Sequence, residues 1–519
     1  MGGLCDESAP DPLPWPSAPP VERQWVLAGV KVVLTAGSRH QYLYHTLTTL
    51  LATPGAQQQN VLVVLGDAPS STTRLLRLLG VNFIKLTVQG EGNSKLFRYY
   101  RSVFQVAART FPDAPAVIFL DEDVEVSPDF FSFMSQTLGL LHADPTLYCV
   151  NAFSFLPDMR RGRGAQYVRR GSVQVSWGFA VTLNFVREAL EVWPSSIEGL
   201  DIHTYDYWLY DSVRNERECV YPEVSRLRHY GMGTNTVAYM HEYEAWHRPL
   251  LHASHVPLLN AELMFHATHE ADFLKGLTEA TAVEAMTPCN PHFPLRASTA
   301  SGPLVAFYSQ TEAEDISSWI LLGQCAGLHS MSEQDNHSGV HLAFFACHQH
   351  PLPAQHPPPA QHPPPAQHPP PAQHPPPAQH PPPAQHPPPA QHPPPAQHPP
   401  PAQHPPPAQH PPAAQHPPPA QHPFNRYGFN YYTPPVLKGS ETAYTRVYYV
   451  GVPFSRYTQV KPSHGRVYNT SLLTPEELSA HTTRFSDTLD ILLFNTTQNN
   501  YHTLLSSLFT KPPQYLLHS

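Results

Sequence analysis

Ala116-Val117-Ile118-Phe119-Leu120-Asp121-Glu122-Asp123-Val124-Glu125-Val126 is an apolar, β-branched run that breaks into three consecutive carboxylates. Its composition reads as a buried strand, and Ser127-Pro128 just beyond it reads as the start of a helix. Working back from it, the sequence alternates between two periods. KVVLTAG (31–37), NVLVVLGD (60–67) and VNFIKLTV (81–88) read as strands, and QYLYHTLTTLLAT (41–53), STTRLLRLLG (71–80) and FRYYRSVFQVAART (97–110) read as helices. Strict alternation of this kind predicts an α/β fold, a mostly parallel sheet with helices on both faces. Ligands in such sheets sit at the carboxyl ends of strands, which is where Asp121, Glu122 and Asp123 fall.

Two carboxylates aimed together suit a hard divalent cation shared with substrate phosphates. Alternation carried past the strand end would put Asp121 and Asp123 on one side and Glu122 on the other. Taken alone, such a triplet reads more readily as a solvated acidic turn.

Composition limits the alternatives. The chain has 519 residues and a formal net charge of −9, and Lys and Arg form no runs, so nothing marks a nucleic-acid interface. The apolar stretches are too short or too charged for the roughly 20 residues of a membrane span, and the first residues lack a signal-peptide pattern. Cys5, Cys149, Cys219, Cys289, Cys325 and Cys347 contain no C-x-x-C pair, leaving disulfides or free thiols. Sequons at Asn336, Asn469 and Asn495 favour a secretory compartment weakly. His229, His241 and His247 lack the spacing of a zinc set and read as structural or surface residues, and Trp193, Trp208 and Trp246 read as buried anchors as readily as sugar platforms.

Much of the excess of 63 prolines lies in a PAQHPP repeat at 353–423. Its proline content forbids ladders and favours extended polyproline II, so it is expected to be a disordered, solvated spacer. Its periodic histidines could bind metal, and a proline tract could recruit SH3-like domains, but the simpler reading is a repeat expansion in a tolerant loop. The expected organisation is a disordered segment at 1–24, the α/β domain at 25–286, and a smaller β-rich unit at 287–352 and 424–519 split by the repeat. SGPLVAFYSQ (301–310), HLAFFACHQ (341–349) and TRVYYVGVPF (445–454) are the predicted strands of that unit.

FLDEDVEVSPDFFSF (119–133), LHADPTLYCVNAF (141–153), EVWP (191–194) and YDYWLYDSVRNERECVYPEVSRLRHYG (205–231) occur in an order that resembles the β-1,2-N-acetylglucosaminyltransferases acting on mannose. The family includes the N-glycan transferase I and the protein O-mannose transferase. SRHQYLYHTL (38–47), FFSFMSQTL (130–138) and RECVYPEVSR (217–226) look closer to the O-mannose enzyme. The resemblance, over about Val26 to Leu251, implies a GT-A (Rossmann-like) glycosyltransferase fold. It also implies Golgi residence, Mn²⁺, UDP-GlcNAc as donor and a mannose-bearing glycoprotein as acceptor. Residue by residue it implies Asp123 as metal ligand, Asp121 and Glu122 beside the donor, and Arg39 and Asp67 on the nucleotide. It further implies Asp206 in Tyr205-Asp206-Tyr207-Trp208 as general base, and a Cys149–Cys219 disulfide. Relatives carry an N-terminal anchor and stem, and no such segment is visible here.

This chain departs from the family pattern at Tyr99-Tyr100-Arg101, where relatives have a histidine near the nucleotide, and at Asn151-Ala152-Phe153-Ser154-Phe155 and Ser176-Trp177-Gly178-Phe179, which line the site in relatives. These departures leave open a weakly active or inactive carbohydrate-binding homologue.

Overall fold

In the computed structural model, the described residues run from 27 to 472, apart from 28, 157–158, 196–203, 232–249, 285–292, 294–296, 298, 314, 329–334, 348–430, 433–442 and 464. The repeat, Asp201, His241, Trp246, His247 and Asn495 therefore lie outside them. The described residues all fall in one compact unit formed from 1–348 and 428–519.

The predicted strand over 116–121 is the fourth of the main sheet. Strands β1 (Lys31–Ala36), β2 (Val61–Gly66), β3 (Asn82–Leu86) and β4 (Ala116–Asp121) are parallel. The short β5 (Val124–Val126) lies off this sheet. The sheet continues with β6 (Leu147–Asn151), β7 (Val168–Gly171), β8 (Gly178–Thr182) and β9 (Glu218–Pro222). Its order is β3-β2-β1-β4-β8-β6-β9-β7, with β8 antiparallel to both β4 and β6. This is the expected α/β sheet, parallel through β4 and mixed beyond it.

Helices α1 (His40–Ala52), α2 (Ser70–Leu78), α3 (Gly92–Thr110), α4 (Phe130–Ala143) and α5 (Leu183–Val192) follow or bridge these strands. Each turns an apolar stripe inward: Leu43, Leu47 and Leu50 on α1, and Phe97, Tyr100, Val103, Phe104 and Ala107 on α3. β2 and β4 are buried on both faces, so they read as continuous apolar runs. A single turn, α6 (Tyr205–Trp208), continues as a π-helical turn over Leu209–Val213. β10 (Leu227–His229) pairs antiparallel with β5, and β11 (Leu250–Leu251) follows.

The three strands predicted for the C-terminal part are present and pair with one another. After α7 (His266–Thr278) come β12 (Thr281–Ala282), β13 (Leu304–Gln310), α8 (Ser317–Ala326) and β14 (Val340–Ala346). Beyond the repeat come β15 (Tyr431–Tyr432), paired with β11, and then β16 (Tyr444–Pro453) and β17 (Val467–Tyr468). The second sheet runs β12-β13-β16-β14, with β17 on β13. Phe273 and Leu277 of α7 pack on one face of it with Phe307, Tyr448 and Val450, and Trp319 of α8 packs on the other with Tyr308 and Tyr449. Among the described residues no helix is long and apolar enough to cross a membrane.

Candidate functional site

β4 ends at Asp121, and Glu122 and Asp123 form a turn into β5. Strand alternation therefore stops one residue short of Glu122, and the predicted division of the triplet between two sides does not occur. Glu122 and Asp123 turn onto one guanidinium instead. Arg39, just after β1, donates from Nε to Glu122 Oε1 at 2.7 Å and pairs through NH2 with Asp123 Oδ2, also at 2.7 Å. The Gly37 N–H completes the cradle, donating to Glu122 Oε2 at 2.7 Å. Arg39 thus lies just beyond the end of β1, with its charge engaged by the acidic triplet.

Asp121 faces another set of partners. Thr35 donates to its Oδ1 at 2.7 Å, and so does the Tyr100 hydroxyl. Burial and the neighbouring Asp123 charge raise its pKa to about 6, against those two hydrogen bonds. Asp123 is buried, yet His229 and Arg39 outweigh the desolvation and bring it down to about 2. Burial also raises Glu122, with Arg39 opposing it. Three carboxylates against one guanidinium leave the pocket with surplus negative charge.

The tyrosines of the departing segment account for its geometry. Tyr99 donates to Val64 O at 2.6 Å and accepts from the Ala36 N–H at 3.0 Å, tying the carboxyl ends of β1 and β2 together. Tyr100 stacks flat on Tyr205, with centroids 3.3 Å apart. Through Tyr100 that stack ties Tyr205, the first residue of α6 and the neighbour of Asp206, to Asp121. The Asp206 carboxylate accepts from the Tyr207 N–H at 3.0 Å.

His229, read from the sequence as a structural or surface residue, reaches the triplet. It is buried, with Nε2 3.3 Å from Asp123 Oδ2, its ring stacked on Trp177 at 4.7 Å, and Nδ1 without a hydrogen-bond partner. The β5–β10 register, His229 opposite Val124, delivers it there. No local spacing signals a contact made through strand pairing. Beyond it, a Cβ on Gly231 would lie 1.8 Å from Asp123 Oδ2, so only glycine lets the chain pass the carboxylate.

Other expectations resolve as follows. Asp67, at φ +50° after β2, is exposed and paired with Lys95 at 2.9 Å. Phe153 and Phe179 are core residues, Phe179 stacked on Phe119 and Phe153 edge-on to Trp177. Trp193 and Trp208 pack on each other at 4.6 Å, both buried. Cys149 and Cys219, opposite each other in the β6–β9 register, form the expected disulfide.

The GNT-I family model matches residues 21–244. Among solved structures, the chain is similar to TarS 1–349 of S. aureus in complex with UDP-GlcNAc, at 11% identity and TM-score 0.29, over 42% of this chain and 64% of that one. It is similar to the mannosyltransferase PcManGT from Pyrobaculum calidifontis in complex with GDP-Man and Mn²⁺, at 16% identity and TM-score 0.25, over 37% of this chain and 53% of that one. A third is the galactosyltransferase LgtC with donor and acceptor sugar analogues, at 14% identity and TM-score 0.25, over 37% and 72%. The chain spans less than two thirds of the length of the first two.

Proposed function

With residues 21–244 matching the GNT-I family model, we propose that the chain is an inverting glycosyltransferase that carries N-acetylglucosamine from UDP-GlcNAc to the 2-hydroxyl of a mannose on a glycoprotein in the Golgi lumen. The observation that carries this reading is the meeting of Arg39 with the Asp121-Glu122-Asp123 triplet at the carboxyl end of one sheet, with Tyr100 joining Asp121 to Tyr205, the neighbour of Asp206.

The donor set suits a divalent cation such as Mn²⁺. It is made of hard carboxylate oxygens, and it carries more negative charge than Arg39 balances. Asp123 would hold the metal, with Asp121 beside it, and the bound metal would supply charge neutralisation at the leaving diphosphate. Arg39, with 26% of its side chain exposed, is at hand for phosphate oxygens. Asp67 would contact the nucleotide from the end of β2. Asp206 would accept the proton of the mannose 2-hydroxyl as that oxygen attacks the anomeric carbon, and the configuration would invert.

One observation favours a second reading, a carbohydrate-binding homologue with little turnover. Asp123 is already paired with Arg39 and His229, and a metal would have to compete with both. A transfer assay decides between them: UDP-GlcNAc, Mn²⁺ and a mannosyl peptide yield product under the first reading. Donor binding with neither transfer nor hydrolysis would establish the second.

A further inference from the structure

Away from the triplet, α7 and the segment entering β14 bring His269, Glu270 and His337 together, one ligand atom of each within 4.8 Å of the others. His337 is buried between two carboxylates, with Nδ1 2.6 Å from Glu218 Oε1 and Nε2 2.6 Å from Glu270 Oε1. Carboxylates only accept, so each ring nitrogen carries a proton in this arrangement. The His269 ring stands edge-on to His337 with centroids 4.5 Å apart, and its buried Nδ1 has no hydrogen-bond partner. An unsatisfied buried nitrogen beside a carboxylate and a second imidazole calls for an explanation, and the proposed transfer reaction uses none of these groups.

We propose that His269, Glu270 and His337 bind a divalent transition ion of the Zn²⁺ type, with Glu218 as the carboxylate behind His337. Two imidazoles and one carboxylate form a donor set suited to zinc, whereas the all-oxygen set of the acidic triplet suits Mn²⁺. Glu218 accepts from Nδ1–H and so turns Nε2 toward Glu270, the arrangement in which a carboxylate orients a metal-binding histidine. The ion takes the Nε2 lone pair in place of its proton, which leaves to solvent. The Tyr457 hydroxyl, 2.9 Å from Glu270 Oε2 and 3.2 Å from His337 Nε2, borders the fourth position. Arg456, with 47% of its side chain exposed, now pairs with Glu270 and also contacts Tyr457 and His337 Nε2, so the ion would take the place of its guanidinium. Glu218 opens β9 of the main sheet, while Glu270 lies on the helix that covers the second sheet, so the ion would fasten one to the other.

The test uses the full chain, stripped with a chelator, reloaded with Zn²⁺ alone, gel-filtered and assayed by elemental analysis and thermal unfolding. One zinc per chain and a raised Tm are expected. His269→Ala and Glu270→Gln should weaken zinc at least about tenfold, and Asp123→Asn should keep it. His269→Phe, which retains the ring packing on Phe273, separates lost ligation from lost folding. Failure of the wild type to retain zinc, zinc binding unchanged in both His269 variants, or zinc lost in Asp123→Asn would each overturn the assignment. None of these outcomes depends on whether the chain transfers sugar.

Discussion

Asp206 and Asp123 would contribute to different parts of the reaction, and single substitutions separate them. Asp206→Asn keeps shape and the hydrogen bond from Tyr207 but accepts no proton. It should lower kcat by roughly 10²–10⁴ while UDP-GlcNAc binding stays near wild type. Asp211, exposed and bonded to Ser212, is the control, and transfer surviving in Asp206→Asn but lost in Asp211→Asn would reassign the base. Asp123→Asn should weaken Mn²⁺ and donor binding together in a titration of Mn²⁺ against turnover. Because Glu122 shares Arg39 with Asp123, Glu122→Gln should show mainly as a stability loss, on the order of 1–3 kcal/mol in denaturant unfolding. Unchanged metal dependence in the Asp123 variant would count against the site. The triplet itself is legible from its position after an apolar run. Its partners are not: Arg39 lies 83 positions from Glu122, and His229 reaches Asp123 only through the pairing of β5 with β10.

Between elements, β9 is held from two sides. Its Cys219 is bonded to Cys149 on β6 across a separation of 70 residues, which on the chain-entropy account contributes about 4 kcal/mol. Cys149→Ser with Cys219→Ser should lower the unfolding midpoint accordingly, and mapping under non-reducing conditions should recover the two half-cystines as one linked peptide pair. Glu218, at the start of β9, faces Arg170 and His337. Burial raises its pKa, but His337 and Arg170 outweigh that and bring it to about 2, below the ordinary value of about 4.3. A depressed carboxyl contributes stability that is present above its unfolded pKa and lost as pH falls through the folded one. Wild-type unfolding midpoints should therefore fall between about pH 4 and pH 2, and Glu218→Gln should flatten that limb. An identical acid limb in the variant would place the pH dependence elsewhere.

At the scale of the whole chain, the second sheet is assembled from both sides of the repeat. β14 and β16 pair antiparallel with Ala346 opposite Tyr444, and the Cys347 N–H donates to Ala443 O at 2.8 Å. The ends of the intervening segment are thus adjacent, and a much shorter loop could join them at slightly lower closure entropy. Deleting 353–423 should leave Tm and sugar transfer nearly unchanged. A large loss of either would mean that the tract contributes packing, which its composition gives little means to do.

By itself the sequence determined the elements: strand and helix periods are properties of neighbouring residues, so the run of β1 to β4 with α1 to α3, the three later strands and the carboxylates at the end of β4 could be read in one dimension. Tertiary structure decided which charges meet. The turn after Asp121 brought Glu122 and Asp123 onto Arg39, Tyr100 joined Asp121 to Tyr205, and strand pairing delivered His229. It also gathered His269, Glu270 and His337 from a helix and a distant loop. The physical reason is common to all of these: a buried charge or polar atom must find its partner wherever the fold presents one, and that demand leaves no period in the sequence.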